Sequence, residues 1–283
     1  MKVGVVGAGT MGRGIAQTVA QYNMNVVLVD ISEDILDRAQ KEIRNSVRMQ
    51  GFYNKDFKGI KPEVVLERII FTTDYALLAD CDFIIENVPE KLDAKISVYE
   101  RLEKVSNPNA YYAVNTSCIP VTEIAAFTSR PDKVIGMHFM NPVPMIEAVE
   151  IMRGFHTSDK TIEVALELLK SINKQGIIVN DYPGFVSNRI SHLMMNEAAF
   201  IVQEGEASVE NVDEVFRKCY GHKMGPLETA DLIGLDTVVD SLDVLFNQYK
   251  DTKFRCCPLL RRMVAAGHCG RKSGQGFYGY NGK

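Results

Sequence analysis

The chain has 283 residues, 46% of them hydrophobic and 24% charged, with 32 basic against 36 acidic side chains and a net charge of −4. That length suggests two domains around ordinary cores; there is no basic run to hold nucleic acid and no apolar stretch long enough to cross a bilayer. The six cysteines form no C-x-x-C pair and no metal-ligand spacing with the five histidines, and the chain opens directly on a strand, so the expectation is reduced thiols, no metal, no signal peptide and a cytoplasmic protein.

Residues Lys2 to Val6 read as a buried parallel strand, followed by the turn G-A-G-T-M-G with Gly7, Gly9 and Gly12 on a G-x-G-x-x-G spacing. Gly7 permits the tight turn, Gly9 lets backbone approach a pyrophosphate and Gly12 lets a helix pack closely on the strand. Thr10 and Met11 complete the turn as it opens that helix, which runs through Ile15, Ala16, Val19 and Ala20 and turns its N–H groups and positive dipole end to the phosphates. Val26 to Val29 form the next strand and end at Asp30, where a Rossmann unit places the acid that accepts from the adenosine ribose. A ribose 2′-phosphate would meet a like charge there and no nearby arginine, so the cofactor expected is NAD, not NADP.

After Asp30, Ser32 caps a helix whose apolar stripe is Ile35, Leu36, Ala39, Ile43 and Val47. It runs into a basic, glycine-containing segment with Arg44, Arg48, Lys55 and Lys58, read as a solvated helix end. Pro62 starts a short helix; strands follow at Ile69 to Thr72 and Asp82 to Glu86, a helix carries Leu92 to Val105, and a strand runs from Tyr111 to Asn115. Val121 to Phe127 and Val134 to Phe139 continue the alternation, which marks a doubly wound parallel sheet with ligands at the carboxyl ends of its strands. The prolines of HFMNPVPM block a helix and turn the chain into a strand from Ile146 to Ile151, a reversal that returns Glu150 beside His138. A helix from Asp159 and a strand from Gly176 to Val179 close this part. The fold class is α/β, a Rossmann-type doubly wound sheet over residues 1–182 followed by a smaller all-α domain over 183–283 with apolar stripes such as Ile190, Leu193, Met194, Ala198 and Ile201.

A lone histidine at a strand end is more often structural than chemical. Glu150, across the expected reversal from His138, alters that balance because a carboxylate on one ring nitrogen fixes the tautomer that general acid/base work requires. Ser117 and Asn188 are able to supply neutral hydrogen bonds to a substrate oxygen, although loop serines and asparagines commonly form turns. No G-x-S-x-G elbow surrounds Ser117, which disfavours a serine hydrolase.

Taken together, GAGTMGRGIA, IIENVPE, NTSCIPVTEIA, GMHFMNPVPMIEAVEI, DYPGFVSNRI, GHKMGPLETADLIGLD and GRKSGQGFYGY resemble, in that order and over essentially the whole chain, the short-form L-3-hydroxyacyl-CoA dehydrogenases, and within them the bacterial 3-hydroxybutyryl-CoA dehydrogenases of butyrate metabolism. The resemblance implies oxidation of a 3-hydroxyacyl-CoA by NAD, with His138 as acid/base, Glu150 as its orienting partner, and Ser117 and Asn188 on the reacting oxygen. It implies that Glu90, Lys95, Asn115 and Asn141 line the cofactor site with Asp30 and the glycine loop, that Lys272 closes over it, and that Arg48 lies near the CoA phosphates. Lys41 departs from a small hydroxyl residue found in some members. The helical domain is expected to shape the substrate cleft and to form a homodimer or higher homo-oligomer. Two rivals stay open from sequence: a dehydrogenase of a CoA-free hydroxy acid, and a non-catalytic NAD-binding protein.

Overall fold

The computed structural model describes residues 1–53 and 57–280; Lys55 lies outside them. It forms two compact units, Met1–Asp181 and Tyr182–Lys283. In the first, the glycine turn joins β1 (Val3–Val6) to α1 (Thr10–Gln21), and β2 (Val26–Val29), α2 (Glu33–Tyr53), α3 (Pro62–Leu66) and β3 (Ile69–Thr72) follow. Then come β4 (Phe83–Glu86), α4 (Leu92–Val105), β5 (Tyr111–Val114), α5 (Val121–Ala125), β6 (Val134–Phe139), β7 (Ala148–Arg153), α6 (Asp159–Ser171) and β8 (Gln175–Asn180).

The eight strands lie in one sheet in the order β3-β2-β1-β4-β5-β6-β7-β8. Every neighbouring pair is parallel except β6 and β7, which run antiparallel. Every residue of β1, β2 and β4 is buried, as parallel strands covered by helices on both faces must be. The carboxyl ends of β1 to β6 therefore share one edge, and β7, antiparallel to β6, starts at that edge with its amino end.

Several boundaries shift from the sequence reading, and two of the shifts have a visible physical reason. The strand expected at Ile146 begins at Ala148, because the amides of Met145 and Ile146 both donate to Pro142 O and close a turn first. The helix expected to give way near Arg44 runs on to Tyr53. Its buried face extends past Val47 to Gln50, whose amide joins Gln17 and Gln21 of α1 in a buried hydrogen-bonded cluster, so tertiary contacts override the glycine at position 51.

The second unit consists of α7 (Ser187–Glu204), α8 (Val209–Cys219), α9 (Pro226–Ile233), α10 (Leu235–Tyr249) and α11 (Pro258–Ala265). Met195, Ala198 and Ala199 of α7 pack with Leu227, Leu235, Leu242 and Leu260. Of the stripe Ile190, Leu193, Met194, Ala198 and Ile201, only Ala198 is buried within the unit, and Ile190 is 63% exposed. Helix α7 is apolar on more than one side, and the inward side is fixed by Asn196, whose side chain bonds Arg255 O and Cys257 N. Two acids staple the rest: Asp213 receives the amides of Leu227 and Glu228 at the start of α9, and Asp231 receives Phe277 N, Tyr278 N and the Tyr280 hydroxyl. No helix among the described residues is long and apolar enough to cross a membrane.

Candidate active site

The glycine turn has the shape that a dinucleotide demands. Gly7 has φ +93°, which side-chain-bearing residues rarely adopt, and a Cβ on Gly12 would stand 1.8 Å from Gly7 O. A Cβ on Gly9 would meet nothing within 4 Å, so what that glycine spares is room outside the chain. Gly9 is also the N-cap of α1, with no side chain capping the helix and no acid in its first turn. Asp30, at the end of β2, accepts Ala8 N at 2.6 Å and Ile31 N at 2.7 Å. One carboxylate thus props the turn and keeps lone pairs for a ribose hydroxyl. These features fit NAD.

Farther along the same edge, Asn115 ties three strand ends together. Its amide donates to Asn87 Oδ1 at 2.7 Å, and its oxygen accepts Phe139 N at 3.3 Å. Beneath it, Lys95 is wholly buried and donates to both oxygens of Glu86 and to Asn115 O, at 3.0 to 3.1 Å. Burial pushes the Glu86 carboxyl up, against the opposing Lys95 charge and the Val88 N–H. Glu90 Oε1 accepts the Thr116 hydroxyl and the amides of Ser117, Cys118 and Ile119. Its desolvation is outweighed by Lys95 and these donors, which hold its carboxyl below the usual range. Glu90 therefore shapes the 116–119 turn, and Lys95 supports Glu90 and Asn115 from below, with a fully buried side chain.

That turn delivers Ser117 to His138. Ser117 Oγ lies 3.3 Å from His138 Nε2, and His138 Nδ1 lies 3.2 Å from Glu150 Oε2. His138 and Glu150 face each other in the β6–β7 register, and both are buried. A carboxylate only accepts, so the hydrogen-bond partners assign the proton to Nδ1 and leave the Nε2 lone pair toward Ser117. The arrangement can take a proton from, or return one to, an oxygen placed beside Ser117.

A cavity of about 270 Å³ opens between α1, α2 and the 141–144 turn, lined among others by Thr10, Gly14, Gln17, Ser46 and Asn141. Arg48 is exposed on α2, whereas Arg44 is engaged with Glu63. Asn188 and Lys272 belong to the second unit: Asn188 sits in the first turn of α7, where its carbonyl accepts from His192, and Lys272 pairs with Asp236 at 2.6 Å. Sequence reasoning passed over Glu86 and Lys174; only the short spacing of Glu86 to Glu90 pointed to the first. Among the described residues no cluster of acids, histidines and cysteines suits a metal ion.

A mostly parallel sheet with a glycine turn before α1, an acid after β2 and a hydroxyl–imidazole–carboxylate line at its carboxyl edge defines an NAD-dependent oxidoreductase. Residues 2–182 match the family model of the 3-hydroxyacyl-CoA dehydrogenase NAD binding domain, and residues 184–280 that of the same family's C-terminal domain. The chain is 45% identical over 280 residues to a probable 3-hydroxybutyryl-CoA dehydrogenase of Deinococcus radiodurans, covering 99% of this chain and 100% of that one. It is 43% identical over 281 residues to the 3-hydroxybutyryl-CoA dehydrogenase of Clostridioides difficile, with 99% and 100% covered. Its fold superposes on the crystal structure of the (S)-3-hydroxybutyryl-CoA dehydrogenase of Ralstonia eutropha with a TM-score of 0.92, at 41% identity and 99% coverage of both chains. The chain belongs to the 3-hydroxyacyl-CoA dehydrogenase family.

Proposed function

We propose that this enzyme interconverts (S)-3-hydroxybutyryl-CoA and acetoacetyl-CoA with NAD(H), His138 serving as the general acid/base. The observation that carries the reading is the line Ser117–His138–Glu150 at the carboxyl edge of a sheet whose first crossover bears the dinucleotide turn. NAD, when bound, supplies the acceptor or donor of hydride at the substrate's C3. In oxidation His138 Nε2 takes the proton of the 3-hydroxyl; in reduction the protonated ring returns it. Glu150 keeps the ring oriented and offsets the positive charge that forms on it. Ser117 and Asn188 donate to the substrate oxygen as negative charge builds there. Asp30, Gly9, Thr10, Met11 and Asn141 seat the cofactor, Arg48 meets the CoA phosphates, and Lys272 closes the cofactor side. We further propose assembly through the helical unit, a reading supported by the exposed Val186, Ile190, Val215 and Leu232 on its surface.

The deciding experiment is the initial rate of acetoacetyl-CoA reduction with NADH and with NADPH, with His138→Gln as control. The expected result is turnover that prefers NADH and falls with the histidine. Activity on CoA-free oxo acids in place of the thioester would overturn the substrate, and no NADH-dependent reduction of either class would overturn the reaction.

A further inference from the structure

Lys174, between α6 and β8, is a buried cation that the chemistry above does not use. It is 9% exposed; the charge of Glu147 acts on it, and among the described residues it forms no ion pair. Its ammonium donates instead to two main-chain carbonyls, Val143 O at 2.7 Å and Ile146 O at 2.6 Å. Between those two, Gln50 Nε2 of α2 reaches Pro144 O at 3.4 Å. Three of the four carbonyls from Val143 to Ile146 are therefore held by buried side chains that come from elsewhere in the unit.

The turn so held is the one that carries Asn141, and Asn141, Pro142, Val143 and Pro144 line the cavity beside α1. Val143 also presses on the helix that opens the glycine turn: a Cβ on Gly14 would come within 3.0 Å of Val143 Cβ. An unpaired ammonium is expensive to bury, and an apolar side chain of the same length would fill the site at lower cost. What the ammonium adds is direction, since it fixes two carbonyls at once.

We infer that Lys174 is a positioning residue for cofactor binding: tied to Val143 O and Ile146 O, it sets the 141–146 turn that presents Asn141 and abuts α1 at Gly14. The inference rests on the reading of this site as an NAD site with Asn141 on its wall. Lys174 acts through the turn and touches neither cofactor nor substrate.

The test is NADH binding, followed by nicotinamide fluorescence, together with kcat and both KM values for Lys174→Met, Lys174→Arg, Asn141→Ala and the double variant Asn141→Ala/Lys174→Met. Lys174→Met is expected to raise the Kd of NADH about ten-fold, the equivalent of one charge-assisted hydrogen bond. Its kcat at saturating NADH and its KM for acetoacetyl-CoA stay near wild type. Lys174→Arg, which keeps the donors, lies between. The double variant binds no more weakly than the weaker single, because both changes act on one turn. An unchanged Kd in Lys174→Met overturns the inference whatever Asn141 does, as does a uniform loss of active protein with Kd intact. A weakened Lys174→Met beside an unchanged Asn141→Ala retains the clamp, acting through Gly14, and removes Asn141 from the cofactor wall. If Lys174→Met does not fold, Lys174→Gln, whose shorter, uncharged side chain cannot span both carbonyls, makes the same comparison: a Kd equal to wild type overturns the clamp.

Discussion

At the scale of single residues, the proposed chemistry depends on which nitrogen of His138 holds a proton. Glu150 faces Nδ1 and Ser117 faces Nε2, so the three side chains do separable work. His138→Gln removes the proposed acid/base, and general acid/base contributions run to about 10²–10⁴-fold; kcat is expected to fall within that range while NADH still binds. Glu150→Gln keeps a hydrogen-bond partner but loses the charge, so its loss should be smaller than that of His138→Gln. Steady-state kinetics with a parallel NADH titration checks both, and a near-normal rate in His138→Gln would remove the histidine from its role. His138 and Glu150 were legible in the sequence because the two prolines of HFMNPVPM announce a reversal, and a reversal after six strand residues sets position 150 opposite 138. The work of Glu90 was not legible. Its four hydrogen bonds are to residues 26 to 29 positions away, and nothing local in NVPE announces them.

At the scale of elements, the opening β1–turn–α1–β2 unit was readable because every constraint in it is local: a Cβ at Gly12 strikes Gly7 O five residues back. Gly12→Ala is accordingly expected to push α1 off its turn and raise the Kd of NADH by at least ten-fold, with thermal stability lowered as overpacking requires, about 1–3 kcal/mol. An alanine variant with wild-type Kd would show that the helix can shift at no cost to binding. Helix α4 is the opposite case. Its amphipathic stripe predicted the helix, yet Lys95 lies on the buried side with both ends of its ion pair fully enclosed. Removing one partner of such a pair leaves an uncompensated charge, which costs about 3–5 kcal/mol. Lys95→Met should therefore destabilise the first unit by that order in urea titration, and Lys95→Met/Glu86→Leu should recover much of it. A single variant as stable as wild type would mean that Glu86 already takes up a proton at neutral pH. Periodicity places a residue on a face; it does not reveal that a charged one has a partner beneath the sheet.

At the scale of the whole molecule, the buried ionisable groups of the two units respond differently to alkali. In the first unit, burial lowers the Lys174 ammonium from 10.5 to about 8, with Glu147 opposing. The unfolded chain then holds that proton more tightly than the native one, so stability rises with pH between about 8 and 10.5 on account of this group, by about 1 kcal/mol from pH 7.5 to 9. Cys81, raised by burial from 9.0 to about 11, acts in the opposite sense: its thiol stays neutral in the native state while the unfolded chain ionises, and stability is lost above pH 9. The second unit has no counterpart to Lys174 among its resolved shifts, while Cys256 is raised by burial from 9.0 to about 11. Calorimetry between pH 7.5 and 10 should therefore show the first unit gaining about 2–4 °C up to pH 9 before it levels, a gain set by that kcal/mol, whereas the second only loses beyond it. Lys174→Met should abolish the gain and leave the later loss, and Cys81→Ala should extend the gain past pH 9. If the gain persisted in Lys174→Met, the titrating group would lie elsewhere. The argument turns on a lysine and a cysteine that hydropathy patterns treat alike, as residues between a helix and a strand. Their opposite effects share one cause, burial, which disfavours the charged form: that form is the protonated ammonium of Lys174 in one case and the deprotonated thiolate of Cys81 in the other.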